Sequence, residues 1–478
     1  MLTPGARQPD KRPRLIIIVA LIVIGAAVIM LSDRAGRLPS ADWYESSRQG
    51  ILQADLQYRL ATFWEQVDSA SSLPGIGGAH ELLERAVAEY EREGLKPNPS
   101  PAALHRLGVI YGERGYAEQA QQALTRAATL DEPKASLYFA LAEVYGPQRA
   151  PFKPAPNLAP RLRDQEKWLA DAALVAYYRE TGATRQEEEA RSKREARVRR
   201  FGIEALMLLG VYGSLALVGL CAIFFTILRR GFFVAPPQPV RPPVVVPWEP
   251  LDVLEAVSLL YFGIAVMGLL AGLLLRRLPD FPAGDLVRAL IVALQYFLFS
   301  GSVIIFIWTR VRAPRTRKLA ALGMRASNLT RLIAEGIGGY GVLVVILAST
   351  SLVAGTGWLG GVVGAVQSGE RLIMNTESLP ARLVLFVLIC IIAPVVEELI
   401  FRGFVYAGLR RHMSLAGAVV GSALLFALMH NTPEALLPIG LIGIVLATLY
   451  ERNRSIVPSI ICHALNNTLV FFLMLLAQ

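Results

Sequence analysis

Residues 383–402 read LVLFVLICIIAPVVEELIFR, and this stretch decides the fold. It is apolar for the length of a membrane crossing and closes on two adjacent glutamates, with an arginine four residues after the second. Similar runs recur at about 15–31, 204–228, 253–275, 286–308, 337–355, 414–429, 435–450 and 456–476, giving nine candidate spans in all. The whole chain agrees: 478 residues are 54% hydrophobic and only 18% charged, with a mean hydropathy of +0.44. Such a composition excludes a chain soluble throughout, and equally a collagen-like, disordered or disulfide-stapled one. Cys221, Cys390 and Cys462 fall inside apolar runs without metal-finger or CxxC spacing, so they read as small hydrophobes.

The net charge of +10 would suggest nucleic acid in a soluble chain. Here Lys and Arg sit in short loops beside apolar runs, where membrane topology is the commoner cause, and no nucleic-acid partner is implied. The densest positive loop carries Arg310, Arg312, Arg315, Arg317, Lys318, Arg325 and Arg331, which places it in the cytoplasm. Counting spans from there puts the N-terminus inside and the region after the first span outside. Arg191, Lys193, Arg194, Arg197, Arg199 and Arg200 oppose that scheme, although a long domain translocates largely regardless of its charge. The first run follows Arg7, Lys11, Arg12 and Arg14; it exceeds a usual signal-peptide core, and Ser32-Asp33-Arg34 is a poor cleavage site. Residues 1–32 are therefore read as an uncleaved anchor. A Pro-rich stretch at 235–250 reads as an extended connection, because its prolines cannot propagate a helix.

Residues 33–200 turn soluble and repetitive. Leu104, Leu107, Gly108, Tyr111, Ala120, Leu124 and Ala127 take the apolar and small positions of a helix-turn-helix. Tyr138, Leu141, Ala142 and Tyr145 repeat the first-helix pattern 34 residues on, and Ala86, Tyr90 and Pro99 anticipate the second from one period upstream. The stretch resembles tetratricopeptide (TPR) repeats, whose stacked helix pairs share a core and leave a concave face for a protein partner. An ordinary helical hairpin domain without binding function is the alternative.

Ionisable groups are costly in lipid, so those in the last apolar block attract attention. Glu398 and Arg402 form an i,i+4 pair, while Glu397 is turned about 100° away and left free to act as a base. Alternatively, the three charges mark the end of a span. Phe426 and His430 share a helix face, and Asn431 and Pro433 follow at once; a lone histidine there also suits an interfacial hydrogen bond. His463 and Asn467 share a face of the last span, as catalytic groups or as polar glue between helices. Together they can take a proton from water, hold that water and donate to an oxyanion, which is the inventory for hydrolysing an amide.

In order, EExxxR (Glu397, Glu398, Arg402), FxxxH (Phe426, His430) and HxxxN (His463, Asn467) resemble the three motifs of the CPBP/Abi family, which holds type II CAAX prenyl endopeptidases and bacteriocin-processing or immunity-type membrane proteins. The resemblance covers about 380–478. It implies that Glu397 and His430 activate the attacking water, that His463 and Asn467 stabilise the oxyanion or position the water, and that Glu398 and Arg402 organise the site. Glu397, His430 and His463 would suit Zn²⁺ on ligand chemistry, although no HExxH is present; a metal-free glutamate mechanism stands beside that option. One geometric tension remains. With Ser414 at the inner face, His430 lies about 24 Å along its helix, so the site closes only if that helix starts near Tyr406 or the spans are short and tilted.

The expected architecture is all-α: a polytopic helical membrane bundle with an N-terminal soluble TPR-like domain. Its parts are an anchor at 1–32, the repeat domain at 33–200, transmembrane helices at 201–379 and the protease-like core at 380–478. The expected activity is intramembrane hydrolysis of a membrane-associated protein or peptide. Arginine greatly outnumbers lysine, which suggests a GC-rich bacterium and its cytoplasmic membrane, with the repeat domain outside. A non-catalytic scaffold or immunity-type protein that binds partners through the repeats is the rival. A transporter ranks last, since no matching pair of interrupted helices marks the two halves.

Overall fold

The computed structural model describes residues 15–24, 48–67, 78–96, 99–147, 158–163, 167–228, 246, 248–277, 284–311, 318–325, 328–353, 373, 376, 378–430 and 435–477. Every regular element among them is helical, as the all-α reading expects. The chain divides into two compact units, one of Arg37–Val211 with Leu476–Gln478 and one of Met1–Gly36 with Tyr212–Leu475. Of the expected anchor, α1 (Leu15–Ile24) is described; its basic flank and cleavage-site residues, most of the Pro-rich stretch, Arg312, Arg315 and Arg317, and Asn431 with Pro433 lie outside the described residues.

The first unit holds α2 (Arg48–Val67), α3 (Ala79–Leu95), α4 (Pro101–Glu113), α5 (Ala117–Leu130), α6 (Ala135–Tyr145), α7 (Leu158–Arg163), α8 (Lys167–Glu180) and the first part of α9 (Thr184–Leu228). Consecutive helices from α2 to α6 pack on one another. Local chemistry starts and stops them. Ser100 caps α4 by accepting from the Ala103 N–H at 3.3 Å, and Pro101 supplies a fixed φ at the first helical position. Gly115, at φ +81°, turns the chain between α4 and α5 in a conformation that a Cβ disfavours. Helices α4 and α6 begin 34 residues apart. Leu104, Leu107, Ala120, Leu124, Ala127, Tyr138, Leu141, Ala142, Tyr145, Ala86 and Tyr90 are all buried. The charged segment after residue 184 does not break from the apolar run that follows; both lie in the 45-residue α9. Pairs at i,i+4 support its polar turns: Glu187 with Arg191 at 2.9 Å, Glu189 with Lys193 at 2.6 Å and Glu204 with Arg200 at 2.8 Å.

The second unit takes the rest of α9, α10 (Pro250–Arg277), α11 (Asp285–Arg310), the single turn α12 (Lys318–Ala321), α13 (Leu329–Val353), α14 (Leu379–His412), α15 (Leu415–Leu428), α16 (Leu436–Asn453) and α17 (Val457–Ala477). Six helices among the described residues are long and apolar enough to cross a membrane: α9, α11, α13, α14, α16 and α17. The chain is a multi-pass membrane protein. Helix α15 is apolar but has only 14 residues, about 21 Å, against a hydrocarbon core of about 30 Å. Small residues let backbones close up: a Cβ on Gly219 of α9 would stand 2.1 Å from the Gly341 carbonyl oxygen of α13. The end of the Pro-rich stretch is anchored. Trp248 is buried, stacks on Phe404 and donates from Nε1 to the Phe404 carbonyl at 3.0 Å.

Candidate active site

Helix α14 is not a uniform α-helix. It widens to π geometry at Val387–Ile392 and again at Leu399–Tyr406. Pro394 accounts for the first. The Ala393 N–H reaches back five residues to the Leu388 carbonyl, so the next bond in that pattern would come from residue 394 to Ile389, and proline has no N–H to give. The Ile389 carbonyl takes the Asn467 Nδ2–H of α17 instead, at 3.0 Å. Wide turns of this kind cluster at functional sites because they redirect side chains. Here one precedes Glu397 and Glu398, and the other carries Arg402.

Glu398 and Arg402 are completely buried. Oε1 of Glu398 accepts from Arg402 Nη1 at 2.8 Å and from His463 Nδ1 at 3.0 Å. Arg402 also donates from Nη2 to the Gly443 carbonyl of α16 at 3.1 Å. That carbonyl is reachable because Gly443 lies against α15, where a Cβ would come within 2.9 Å of the Ala423 Cα. The guanidinium sits 4.6 Å above the Phe426 ring. Removing two charges from water is repaid only when further hydrogen bonds hold them, and the histidine and the carbonyl supply those bonds. Glu398 Oε2 and Arg402 Nε have no hydrogen-bond partner among the described residues.

Glu397 differs from its neighbour. Its side chain is 23% exposed, and Oε2 lies 3.9 Å from His463 Nε2, beyond a direct hydrogen bond. That oxygen is buried and has no hydrogen-bond partner among the described residues. His463, 2% exposed, is oriented from behind: a carboxylate can only accept, so the Nδ1 proton points at Glu398 and Nε2 faces Glu397. His430 follows the same rule, its Nδ1 donating to the Phe426 carbonyl at 2.7 Å. Phe426 ties the two histidines together, with ring centroids 4.7 Å from His430 and 5.7 Å from His463. His430 lies within electrostatic reach of Glu397, His463 and Arg402.

Helix α15 is short, running only from Leu415 to Leu428. It starts where Ser414 caps it, accepting from the Gly417 N–H at 3.2 Å, rather than near Tyr406. The structure thus gathers Glu397, Glu398, Arg402, His430 and His463. Asn467 differs: one of its two amide N–H groups is held by the Ile389 carbonyl, and its Oδ1 accepts from Asn466 Nδ2 at 3.4 Å. Among the described residues no three His, Cys, Asp or Glu side chains form a group that could hold a metal ion.

Sequence reasoning missed the Gly443 and Ile389 carbonyls. Pro394 hinted at the second, since it removes a backbone donor within a helix. It also missed Tyr296 on α11, whose buried hydroxyl has no hydrogen-bond partner among the described residues and lies within electrostatic reach of Glu397. A tyrosine in an apolar run gives no such signal, because interfacial belts hold many.

No curated protein and no solved structure matches the chain. One family does: residues 379–469, the stretch that carries all six of these side chains, match the type II CAAX prenyl endopeptidase Rce1-like family.

Proposed function

We propose that the protein is an intramembrane endopeptidase that hydrolyses a peptide bond of a membrane-associated protein or peptide, with Glu397 as the base that activates water. The observation that carries this reading is the gap between Glu397 Oε2 and His463 Nε2: 3.9 Å admits one water bonded to both, and Glu397 Oε2 faces it with no hydrogen-bond partner among the described residues. Glu397 takes a proton from that water as its oxygen attacks the carbonyl carbon. The carboxylic acid then returns the proton to the amine as the C–N bond breaks. His430 helps hold the water, and Glu398 with Arg402 fixes the orientation of His463. No step needs a metal; one equivalent of tightly bound zinc in the purified protein, lost on Glu397→Gln, would replace this reading.

The substrates implied are prenylated CAAX peptides or unprenylated membrane peptides, and the repeats of the first unit, read as TPR-like, would dock a protein partner. On the charge rule the active site faces the cytoplasmic leaflet of a bacterial membrane and the repeats lie outside. The test is cleavage by the full-length protein in liposomes, offered a farnesylated CAAX peptide and an unprenylated transmembrane peptide. Glu397→Gln is expected to insert and fold normally and to lose cleavage. A Glu397→Gln protein that cleaves as wild type defeats the reading, and a wild type inert to both peptides while the variant keeps full cellular function favours the scaffold.

A further inference from the structure

Hydrolysis by a carboxylate base also needs a donor for the negative charge that develops on the carbonyl oxygen, usually the largest single contribution in acyl transfer. Of the two motif residues expected to supply it, His463 turns its Nδ1 proton to Glu398, and Asn467 gives one of its two amide N–H groups to the Ile389 carbonyl, leaving one. Tyr296 offers a further donor. It lies on α11, outside the segment that matches the endopeptidase family. Helix α11 packs along the start of α14 and touches its second π segment, on either side of Glu397. Asp285, at the first turn of α11, fixes this neighbourhood by accepting the Ser378 N–H ahead of α14 at 3.1 Å.

The hydroxyl of Tyr296 is buried and has no hydrogen-bond partner among the described residues. Buried hydroxyls are almost always bonded, so an orphan one calls for a reason, and a reacting group that arrives with the substrate is such a reason. Glu397 is the charged side chain whose field reaches it, yet no hydrogen bond joins the two. The space between a base and an oxyanion donor must hold the water and the scissile carbonyl, so an approach without contact is what the chemistry requires.

On the endopeptidase reading above, we propose that Tyr296 is a further catalytic residue, whose O–H donates a hydrogen bond to the carbonyl oxygen of the scissile peptide. As the water oxygen attacks, its proton passes to Glu397 and the carbonyl π pair moves onto the oxygen, which accepts from Tyr296. When the pair returns, the C–N bond breaks, the amine takes the proton from Glu397, and an acid and an amine leave. Tyr296 keeps its proton throughout.

The experiment compares wild type, Tyr296→Phe and Glu397→Gln as full-length proteins in liposomes, on the farnesylated and the transmembrane peptide, with thermal unfolding of each. Tyr296→Phe is expected to lower kcat about 10²-fold, the effect of losing one oxyanion donor, with KM changed less than twofold. Its melting temperature should be unchanged or higher, because the hydroxyl it lacks has no hydrogen-bond partner among the described residues. A Tyr296→Phe protein with wild-type kcat, beside an inactive Glu397→Gln, overturns the role of the tyrosine and leaves the endopeptidase reading standing. A fall in melting temperature that accounts for the lost activity also overturns it, since the hydroxyl would then be structural. Wild-type cleavage by Glu397→Gln overturns the endopeptidase reading, and the tyrosine's role with it.

Discussion

Two carboxylates, one in each unit, show how the same group serves structure or chemistry. Asp55, in the first unit, is 6% exposed and accepts from the Tyr90 hydroxyl and from Arg106 Nε at 2.8 Å, with all three side chains interior. Glu397 has no such escort: Oε2 has no hydrogen-bond partner among the described residues, and the imidazole opposite stands at 3.9 Å. Glu398, one residue on, is of the first kind, held by Arg402 and His463. A carboxylate clasped by donors commits its lone pairs to the fold, whereas one facing a gap keeps them for a reactant. The adjacent glutamates of α14 divide these tasks because about 100° of helical rotation separates them.

Breaking the comparison at its catalytic end should have the largest effect. Glu397→Gln is expected to lower kcat on the peptide probes by about 10²- to 10⁴-fold, the span of general-base catalysis, with little change in melting temperature. Next comes the escorted member of the pair. Arg402→Met leaves the Glu398 charge buried without its main partner, at a cost of about 3–5 kcal/mol. Thermal or denaturant unfolding should read this as a large loss of stability; a well-folded Arg402→Met protein that had lost only activity would show the ion pair to be catalytic rather than organising.

Asp55→Asn should sharpen the contrast from the other side. It weakens a satisfied network by about 1–3 kcal/mol and should leave kcat unchanged, so altered cleavage kinetics would break the division of labour between the units. The smallest effect is a pH dependence. Burial, and then the Glu113 carboxylate, push the Tyr58 hydroxyl well above its ordinary value of 10.0, and burial raises Tyr145 likewise. The folded chain then keeps protons that the unfolded chain releases near pH 10, so stability from these groups is present below that pH and falls as the pH rises through it. Unfolding midpoints followed from pH 9 to 11 should decline, and Tyr58→Phe should flatten the decline.

Much of the fold was legible because lipid imposes a simple rule: apolar runs of sufficient length must be helices that satisfy their own backbone. Runs at 286–308, 337–355, 383–401, 435–450 and 456–476 match helices that can span. The charged stretch after 184 was harder, since composition changes at about residue 204 while α9 continues through it on i,i+4 pairs. The short α15 was foreseen only as one way to bring His430 to the site.

The sequence by itself determined that polar residues stand at EExxxR, FxxxH and HxxxN within apolar helices, and that Glu398 and Arg402 share a face, because helical periodicity is local. Tertiary structure decided what each group has left to give. Packing of α17 on α14 commits one Asn467 amide N–H to the carbonyl that Pro394 orphans, and the approach of α16 hands Arg402 the Gly443 carbonyl. Packing of α11 on α14 brings Tyr296 within reach of Glu397 from a hundred residues upstream. Hydrogen bonds between helices depend on how side chains far apart in sequence fill one space, and no spacing along the chain encodes that.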